Sequence, residues 1–239
     1  MQTTWLFKLA CLISVICLPC ACWSKRQPAS EYDRPLIRYG DDGTPTFIKG
    51  GNLSAALDSD PVFRDLKANK RYADIALYYL DSQRQVFKLT SARDEFIVRE
   101  VKADGLGQKH IRLQQVFHQI PVWGKEVSIH LNGDNDVYCF HGAYQSISSD
   151  LITTAAISKE TAGQFVLGEK ADPTRWRIQH IDVCIWAPSS ANQRLAFKVT
   201  LMQNNLYRQD CFVDAIDGRL LHWLSISPTI GDPITIKKD

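Results

Sequence analysis

Alternation of apolar and polar side chains is clearest in residues 104–131, which read DGLGQKHIRLQQVFHQIPVWGKEVSIHL. Apolar side chains occupy every second position in residues 127–131 and most alternate positions in residues 111–117. This period of two is typical of strands that bury one face. Glycine-containing segments at 104–107 and 120–124 separate the runs. The stretch therefore predicts an antiparallel meander.

The chain before this meander predicts helix. Residues 52–89 have a helical pattern, and one apolar stripe recurs at i, i+3, i+4, i+7 and i+8. Its members are Tyr72, Ile75, Ala76, Tyr79 and Leu80. Residues 25–50 are rich in proline, glycine and charge, and they are interpreted as a linker. Residues 51–148 therefore form a first predicted unit, in which a sheet is backed by helix.

A second unit is predicted over residues 149–224. Ser158 is the expected N-cap of a helix with Glu160 in its first turn, and this helix should end near Gly168. Strands are expected around residues 181–186, 195–201, 210–215 and 219–224, with a tight turn at Asp217-Gly218. The predicted fold class is α+β, with two small lobes that are each an antiparallel sheet backed by helix. Residues 225–239 are predicted to form a flexible C-terminal tail.

The N-terminus predicts export. Lys8 precedes an uncharged, mainly apolar run at residues 9–22, which is too short for a membrane span. Residues 1–24 are therefore interpreted as a cleaved signal peptide, and the protein is expected to be secreted or to lie in the periplasm or cell envelope. Cys22 after Ala21 leaves a lipid anchor as the less favoured alternative.

Charge and composition exclude some classes of function. Residues 27–239 carry 25 Lys and Arg against 26 Asp and Glu, so nothing indicates binding to nucleic acid or to an anionic membrane. Charges interrupt the body of the chain throughout, which excludes a membrane span there. Three cysteines remain in the predicted mature chain, and both a disulfide and buried free thiols are left open for Cys139, Cys184 and Cys211.

No catalytic or metal-binding motif is found in the sequence. The six histidines form no HExxH motif, and the acidic loop at residues 134–136 lacks the terminal Glu of a calcium loop. A GxSxG nucleophile motif and a phosphate-binding glycine loop are also absent from the sequence. The sequence therefore predicts no enzyme activity, no metal and no cofactor.

The meander resembles the propeptide signature of thermolysin-like and fungalysin-like zinc metalloproteases, known as the FTP motif. That signature runs D-x-x-G-x-x-H-x-R-x-x-Q, then P-V-x-G, then a strand ending in His and a second strand closing in Gly. The matching residues are Asp104, Gly107, His110, Arg112, Gln115, Pro121, Val122, Gly124, His130 and Gly142. His118 and Gln119 replace the small residue and the glycine that commonly precede the proline.

The second unit resembles the PepSY domain that follows the FTP domain in such propeptides. Residues 195–199 look like its L-x-Y-x-V strand, and residues 213–220 look like its V-D-A-x-x-G-x-L hairpin, with Asp214 and Gly218 as signature positions. The signature residues are expected to hold the fold rather than to contact a partner, because turn glycines and buried amides are structural features.

The resemblance implies a propeptide without its protease. Such propeptides act as inhibitors and folding chaperones of a thermolysin-like zinc metalloprotease, and that protease is the expected partner. The apolar C-terminal segment is the candidate for contact with the active-site cleft, through Leu224, Ile226, Pro228 and Ile230. Two alternatives are an inactive product of a truncated or split protease gene and an envelope module that binds peptides.

Overall fold

The computed structural model describes residues 34–204 and 207–226. The predicted signal peptide of residues 1–24, with Cys22, lies outside these residues. Within the described part of the chain, no helix combines the length and the apolar character needed to cross a membrane.

The fold is α+β, mostly sheet with a few helices. The described residues contain five helices: α1 (Pro61–Ala68), α2 (Tyr72–Ser82), α3 (Arg84–Phe87), α4 (Ala92–Glu95) and α5 (Lys159–Gly168). The ten strands are β1 (Leu36–Tyr39), β2 (Pro45–Lys49), β3 (Phe96–Ala103), β4 (Lys109–Phe117), β5 (Ile120–Leu131), β6 (Val137–Gly142), β7 (Arg177–Ser189), β8 (Asn192–Met202), β9 (Arg208–Asp214) and β10 (Leu220–Ile226).

The helices begin where the sequence supplies a cap. The Asp60 carboxylate accepts hydrogen bonds from the backbone N–H groups of Val62 and Phe63, which opens α1 with Pro61 in its first turn. The Ser158 hydroxyl accepts from the Thr161 N–H, and α5 ends at Gly168. The predicted cap and end of α5 are both confirmed.

Two main clusters of buried side chains stabilise the fold. In the first core, α1, α2 and α4 cover strands β4–β6, with Phe63, Ile75, Leu113, Ile129 and Phe140 fully buried. The predicted stripe on α2 faces this core: four of its five side chains are buried, and Tyr72 packs at its edge. In the second core, α5 packs against β7, β8 and β9. The opposite face of β7–β10 carries a small third cluster around Phe212.

Strand β5 connects the strands around both cores into one sheet. Residues 127–131 of β5 pair with β6, whereas Val122 pairs in parallel with Ile185 of β7. The sheet order is β1-β2-β6-β5-β7-β8-β9-β10, and the β3–β4 hairpin joins through the pairing of β4 with β5. The division into two lobes therefore stays a prediction, because the strands of both cores are hydrogen-bonded to one common strand.

The predicted linker of residues 25–50 is wrong in its second half. Strands β1 and β2 form an antiparallel hairpin there, and β2 extends the sheet by pairing with β6, with Phe47 opposite His141. The hairpin turns at Asp42-Gly43, where Gly43 has a φ of +75°. An Asp-Gly pair is a strong hairpin signal, so the sequence contained the information for this turn.

The predicted tail also begins too early. Strand β10 pairs with β9 up to Ile226, which lies opposite Arg208, so residues 225 and 226 belong to the sheet. Leu224 packs against the third cluster and is not free to enter a partner's cleft. Pro228 and Ile230 lie outside the described residues.

All three cysteines of the described chain are buried free thiols. Cys139 lies in β6, Cys184 in β7 and Cys211 in β9. Burial raises the pKa of the Cys184 thiol to about 12, which leaves it protonated and unreactive at neutral pH. Of the two alternatives left open by the sequence, the structure has the free thiols.

Candidate functional site

The first signature residues build a turn between β3 and β4. The Asp104 carboxylate accepts hydrogen bonds of 2.9 Å from the N–H groups of Leu106 and Gln108. Gly107 has a φ of +79°, a conformation that a side chain resists, and its N–H donates to the Asp104 carbonyl. Asp104 and Gly107 are therefore a turn pair that sets where β4 begins.

Asp104 also begins a chain of polar contacts that runs across the sheet. His110 Nε2 lies 3.1 Å from Asp104 Oδ2, and His110 Nδ1 lies 2.6 Å from His130 Nδ1. The His130 ring stacks on that of His141, with 4.9 Å between the ring centroids. The structure thus brings three signature residues together, and adds His141, which the signature does not contain.

Electrostatics distinguish the members of this chain. Burial, followed by the nearby rings of His141 and His110, lowers the pKa of His130 to about 4. Burial alone would raise the pKa of Asp104, but hydrogen bonds from His110 and from the N–H groups of Gln108 and Leu106 outweigh it, so the pKa is lowered. His130 is therefore neutral at neutral pH and Asp104 is ionised.

Arg112 lies farther along β4 and forms a surface ion pair. Its guanidinium lies 2.7 Å from the Glu126 carboxylate on β5, and Glu100 on β3 lies 3.9 Å away. About half of the Arg112 side chain is exposed, and exposed pairs of this kind contribute little to stability because water and salt screen the two charges. Arg112 therefore links the three neighbouring strands β3, β4 and β5.

Gln115 holds the segment that leads out of the first core. Its amide is buried, with Nε2 donating to the Gln145 carbonyl at 2.6 Å and Oε1 accepting from the Gln145 N–H at 3.0 Å. Gln193 at the start of β8 does the same farther along: its amide donates to the Ser146 carbonyl and accepts from the Ser148 N–H. Two glutamines, one beside each core, thus bind one connecting segment.

The P-V-x-G residues form an irregularity in β5. Residues 122–125 stand outside the regular pairing with β4, because Gln114 lies opposite Glu126 while Val116 lies opposite Pro121. The carbonyls of Val122 and Lys125 therefore lack a partner in the β4 backbone. The side-chain amide nitrogen of Gln114 donates to them instead, at 2.8 and 3.0 Å. Gly124 has a φ of +69°. This β-bulge frees Val122 to pair with β7.

The turn before Pro121 carries backbone strain. His118 and Gln119 both have positive φ, +48° and +67°, which is the pattern of a type I′ hairpin turn. That turn prefers Asn-Gly, because side chains disfavour the left-handed region. The turn geometry therefore favours a glycine at position 119, where this sequence has glutamine.

Gly142 closes β6 against β5. A Cβ at this position would lie 2.3 Å from the Glu126 carbonyl oxygen and 2.6 Å from the Val127 Cα, and the φ is +142°. Both neighbours are backbone atoms that cannot move without disturbing the sheet. Glycine is therefore required here for space and for conformation.

Asp214 and Gly218 lie apart from the other signature residues, in the β9–β10 turn. The buried Asp214 carboxylate accepts from the Ile216 N–H, and its carbonyl accepts from the Gly218 N–H. Gly218 has a φ of +79°, and the Phe165 ring of α5 lies where its Cβ would be. These two residues set the turn and dock α5 on it.

Two concave regions lie on the second half of the fold. A groove of about 600 Å³ runs between α5 and β10, lined by Phe165, Lys170, Leu220 and Trp223 among others. A second one, of about 490 Å³, is lined by Arg194, Asp214 and Arg219 with apolar neighbours. Among residues 34–204 and 207–226, no group of three or more His, Cys, Asp or Glu side chains is arranged to hold a metal.

Sequence reasoning missed the partners that complete the signature contacts. The side chains of Gln114 and Gln193 bind backbone groups, the backbone of Gln145 binds the Gln115 amide, and His141 stacks on His130. Alternation does place His130 and His141 on polar strand faces, but their contact depends on the register between β5 and β6. The register of two strands in a meander is set by turn geometry and core packing, which motif matching does not use.

Comparison with known proteins supports the first part of the resemblance. Residues 94–144 match the family described as FTP, Fungalysin/Thermolysin Propeptide Motif, which covers less than half of the chain and is not itself catalytic. Bacillolysin of Brevibacillus brevis is 32% identical over 73 residues, or 30% of this chain and 14% of that protein. Thermolysin of Alicyclobacillus acidocaldarius is 24% identical over 216 residues, or 81% of this chain and 35% of that protein.

The chain thus spans a minor part of the length of these relatives. Among solved structures, the Bacillus megaterium YpeB C-terminal domain aligns over 77% of this chain and 72% of that chain, with 12% identity and a TM-score of 0.35. The chain therefore carries a propeptide motif and is similar to part of the thermolysin family.

Proposed function

We propose that this chain is an exported, non-catalytic, propeptide-like protein that binds a thermolysin-like zinc metalloprotease in trans and acts as its inhibitor, its folding chaperone or both. The observation that carries the proposal is the FTP match over residues 94–144. The contacts of the signature residues with turns, carbonyls and neighbouring strands support a scaffold role for them, which agrees with a protein that acts by binding.

The proposal includes two lobes, an FTP-like unit at residues 51–148 and a PepSY-like unit at residues 149–224. Separate clusters of buried side chains in the two regions favour this division. The glutamine contacts to residues 145–148 favour a fixed path between the units, because they bind the backbone of the connecting segment from both sides. A protease would then meet a rigid, preorganised surface.

Inhibition is tested by mixing the full-length chain with a panel of purified thermolysin-like proteases and measuring hydrolysis of a peptide substrate. The expected result is concentration-dependent inhibition of at least one of them, with unrelated serine proteases unaffected. Chaperone action is tested by the refolding yield of the denatured mature protease with and without the chain. If neither inhibition nor assisted refolding is found with any enzyme of the panel, the proposal is wrong.

The C-terminal segment is proposed to contact the protease cleft, now limited to residues after β10, with Pro228 and Ile230 as candidates. A truncation after Ile226 removes that segment and keeps the pairing of β10 with β9. Its matched control carries the same 13 residues in scrambled order. We expect the truncation to weaken inhibition at least tenfold, about 1.4 kcal/mol. Equal inhibition by the full-length chain, the truncation and the scrambled control would show that the body of the fold, not the C-terminal segment, binds the protease.

Export is proposed from the N-terminal sequence. N-terminal sequencing of the protein from the extracellular or envelope fraction is expected to find cleavage near residues 21–24. Mass spectrometry of the same sample distinguishes soluble export from a lipid on Cys22. Recovery of the chain with Met1 intact in the cytosol would contradict export.

A further inference from the structure

Three histidine rings lie together on the solvent side of the sheet around the first core. His110 of β4 and His130 of β5 are direct cross-strand partners, and His141 of β6 lies opposite Ser128 of β5. Their sequence neighbours Ile111, Ile129 and Phe140 are buried in the first core. Since side chains alternate along a strand, the three rings share the face opposite the helices.

The contact between His110 and His130 limits how many protons the pair can hold. The two Nδ1 atoms are 2.6 Å apart, so one hydrogen must lie between them, donated by one ring and accepted by the lone pair of the other. When both rings are neutral, His110 Nε2–H donates to Asp104, so His130 Nδ1–H donates to the bare His110 Nδ1. The geometry thus assigns the hydrogen of neutral His110 to Nε2 and that of neutral His130 to Nδ1.

A first proton can be taken up without loss of either bond. If His110 becomes a cation, its Nε2–H still donates to the Asp104 carboxylate and its Nδ1–H donates to His130, which then carries its hydrogen on Nε2. A second proton, on His130, puts hydrogens on both Nδ1 atoms. The bond is then lost, and two cationic rings remain with centroids 4.8 Å apart.

The surrounding charges do not offer His130 a counter-ion. Asp104 contacts the cluster through His110, on the side away from His130. The other groups on this face are paired with one another or become charged only at high pH. They are Lys102 with Glu100 on β3, Arg112 on β4 with Glu126 on β5, and Tyr138 and Cys139 on β6. Lys49 on β2, opposite Cys139, is basic and cannot act as a counter-ion for a protonated histidine. The neighbouring His141 ring adds a further repulsive charge when it is protonated.

We propose that His110, His130 and His141 form a proton-operated switch, in which protonation of His130 breaks the bond to His110 and loosens the pairing of β5 with β4 and β6. Because β5 also pairs with β7, the strand that loosens is the one that connects both cores. The ligand of this site is the proton, and its binding lowers the folding stability of the chain in acid. This inference does not depend on the proposed protease partner.

The direction of the pH effect follows from linkage. The pKa of His130 is lowered to about 4 in the folded chain against 6.5 for the free side chain. The neutral ring therefore stabilises the fold fully above pH 6.5, and this contribution is lost as the pH falls towards 4. Between pH 7.5 and pH 5, the folding equilibrium constant should fall roughly 25-fold from this residue alone.

The test compares urea unfolding of the full-length chain and its variants between pH 7.5 and pH 5. In His130→Asn, the side-chain amide nitrogen can take the place of Nδ1 as a donor to His110, yet it cannot be protonated. The matched control is His180→Asn, which removes an exposed histidine outside the cluster. We expect the 25-fold loss to be strongly reduced in His130→Asn and to persist in His180→Asn. Equal losses in the wild-type chain and His130→Asn would overturn the switch.

A second measurement needs no variant. Nitrogen NMR of the histidine rings in the wild-type chain reports which ring nitrogen carries the proton. We expect His130 to be neutral and protonated on Nδ1 at pH 7, and still neutral at pH 5. Titration of His130 near pH 6.5, or an Nε2-protonated ring at pH 7, would refute the assignment even if the variant failed to fold.

Discussion

Replacement of Gln115 tests whether the signature glutamine holds the segment that connects the two cores. In Gln115→Leu, the buried N–H and C=O groups of Gln145 lose both of their partners. Each unpaired buried group costs about 1–3 kcal/mol, and the added apolar burial of leucine recovers part of this. Gln115 is 1% exposed and Gln145 is 5% exposed, so solvent water does not reach the site to replace the hydrogen bonds of the lost amide. The expected loss is about 2–4 kcal/mol.

The assay is urea unfolding of the full-length chain, monitored by tryptophan fluorescence and circular dichroism at pH 7.5. The matched control is Gln85→Leu on the exposed side of α3, which should change the free energy of unfolding by less than about 0.5 kcal/mol. A third variant, Gln115→Glu, keeps the acceptor for the Gln145 N–H and loses the donor to its carbonyl. It places a buried carboxylate against a carbonyl oxygen and should also destabilise the chain.

Hydrogen exchange separates a local effect from a global one. The Gln145 amide should exchange faster in Gln115→Leu than the change in global stability explains, because its own acceptor is gone. A free energy of unfolding within 1 kcal/mol of the wild-type value, with unchanged protection of Gln145, would refute the reasoning. The two glutamine contacts would then be replaceable by solvent, and the signature glutamine would need another explanation.

Three further substitutions probe the turns and caps. Gly142→Ala should destabilise the chain by about 3 kcal/mol or more, because the new Cβ would lie 2.3 Å from the Glu126 carbonyl oxygen. The control is Gly105→Ala, where the new Cβ meets open space. Similar melting temperatures for the two variants would contradict the steric argument. Gln119→Gly should raise the free energy of unfolding by about 0.5–1 kcal/mol in urea titrations, by relieving a positive φ, and no gain would mean an unstrained turn. Ser158→Ala should cost about 1 kcal/mol in thermal unfolding through loss of the α5 cap, and it should be rescued by Ser158→Asp.

Local features of the chain could be read without the structure. The α2 stripe, the Ser158 cap and the alternation in β4 and β5 depend on neighbours within a few residues, so the sequence reveals them directly. The sequence predicts turns at the glycines of positions 107 and 218 for the same reason, and both residues have positive φ. The FTP resemblance also rested on spacing within one continuous stretch, which is why it could be found from the sequence and is supported by comparison.

Contacts between distant residues were decided only by the tertiary structure. The sequence alone predicts a linker where β1 and β2 form a hairpin, because the place of this hairpin in the sheet depends on β6, about 90 residues later. The sequence alone places Ile226 in the predicted tail and makes Leu224 a candidate for contact with a protease, because the pairing of both residues with β9 depends on another strand's register. The contact of His130 with His141 and the bond of Gln115 to Gln145 need the same information. Sequence patterns establish which face a residue occupies, whereas strand order and register, set by packing of the whole core, determine what it meets there.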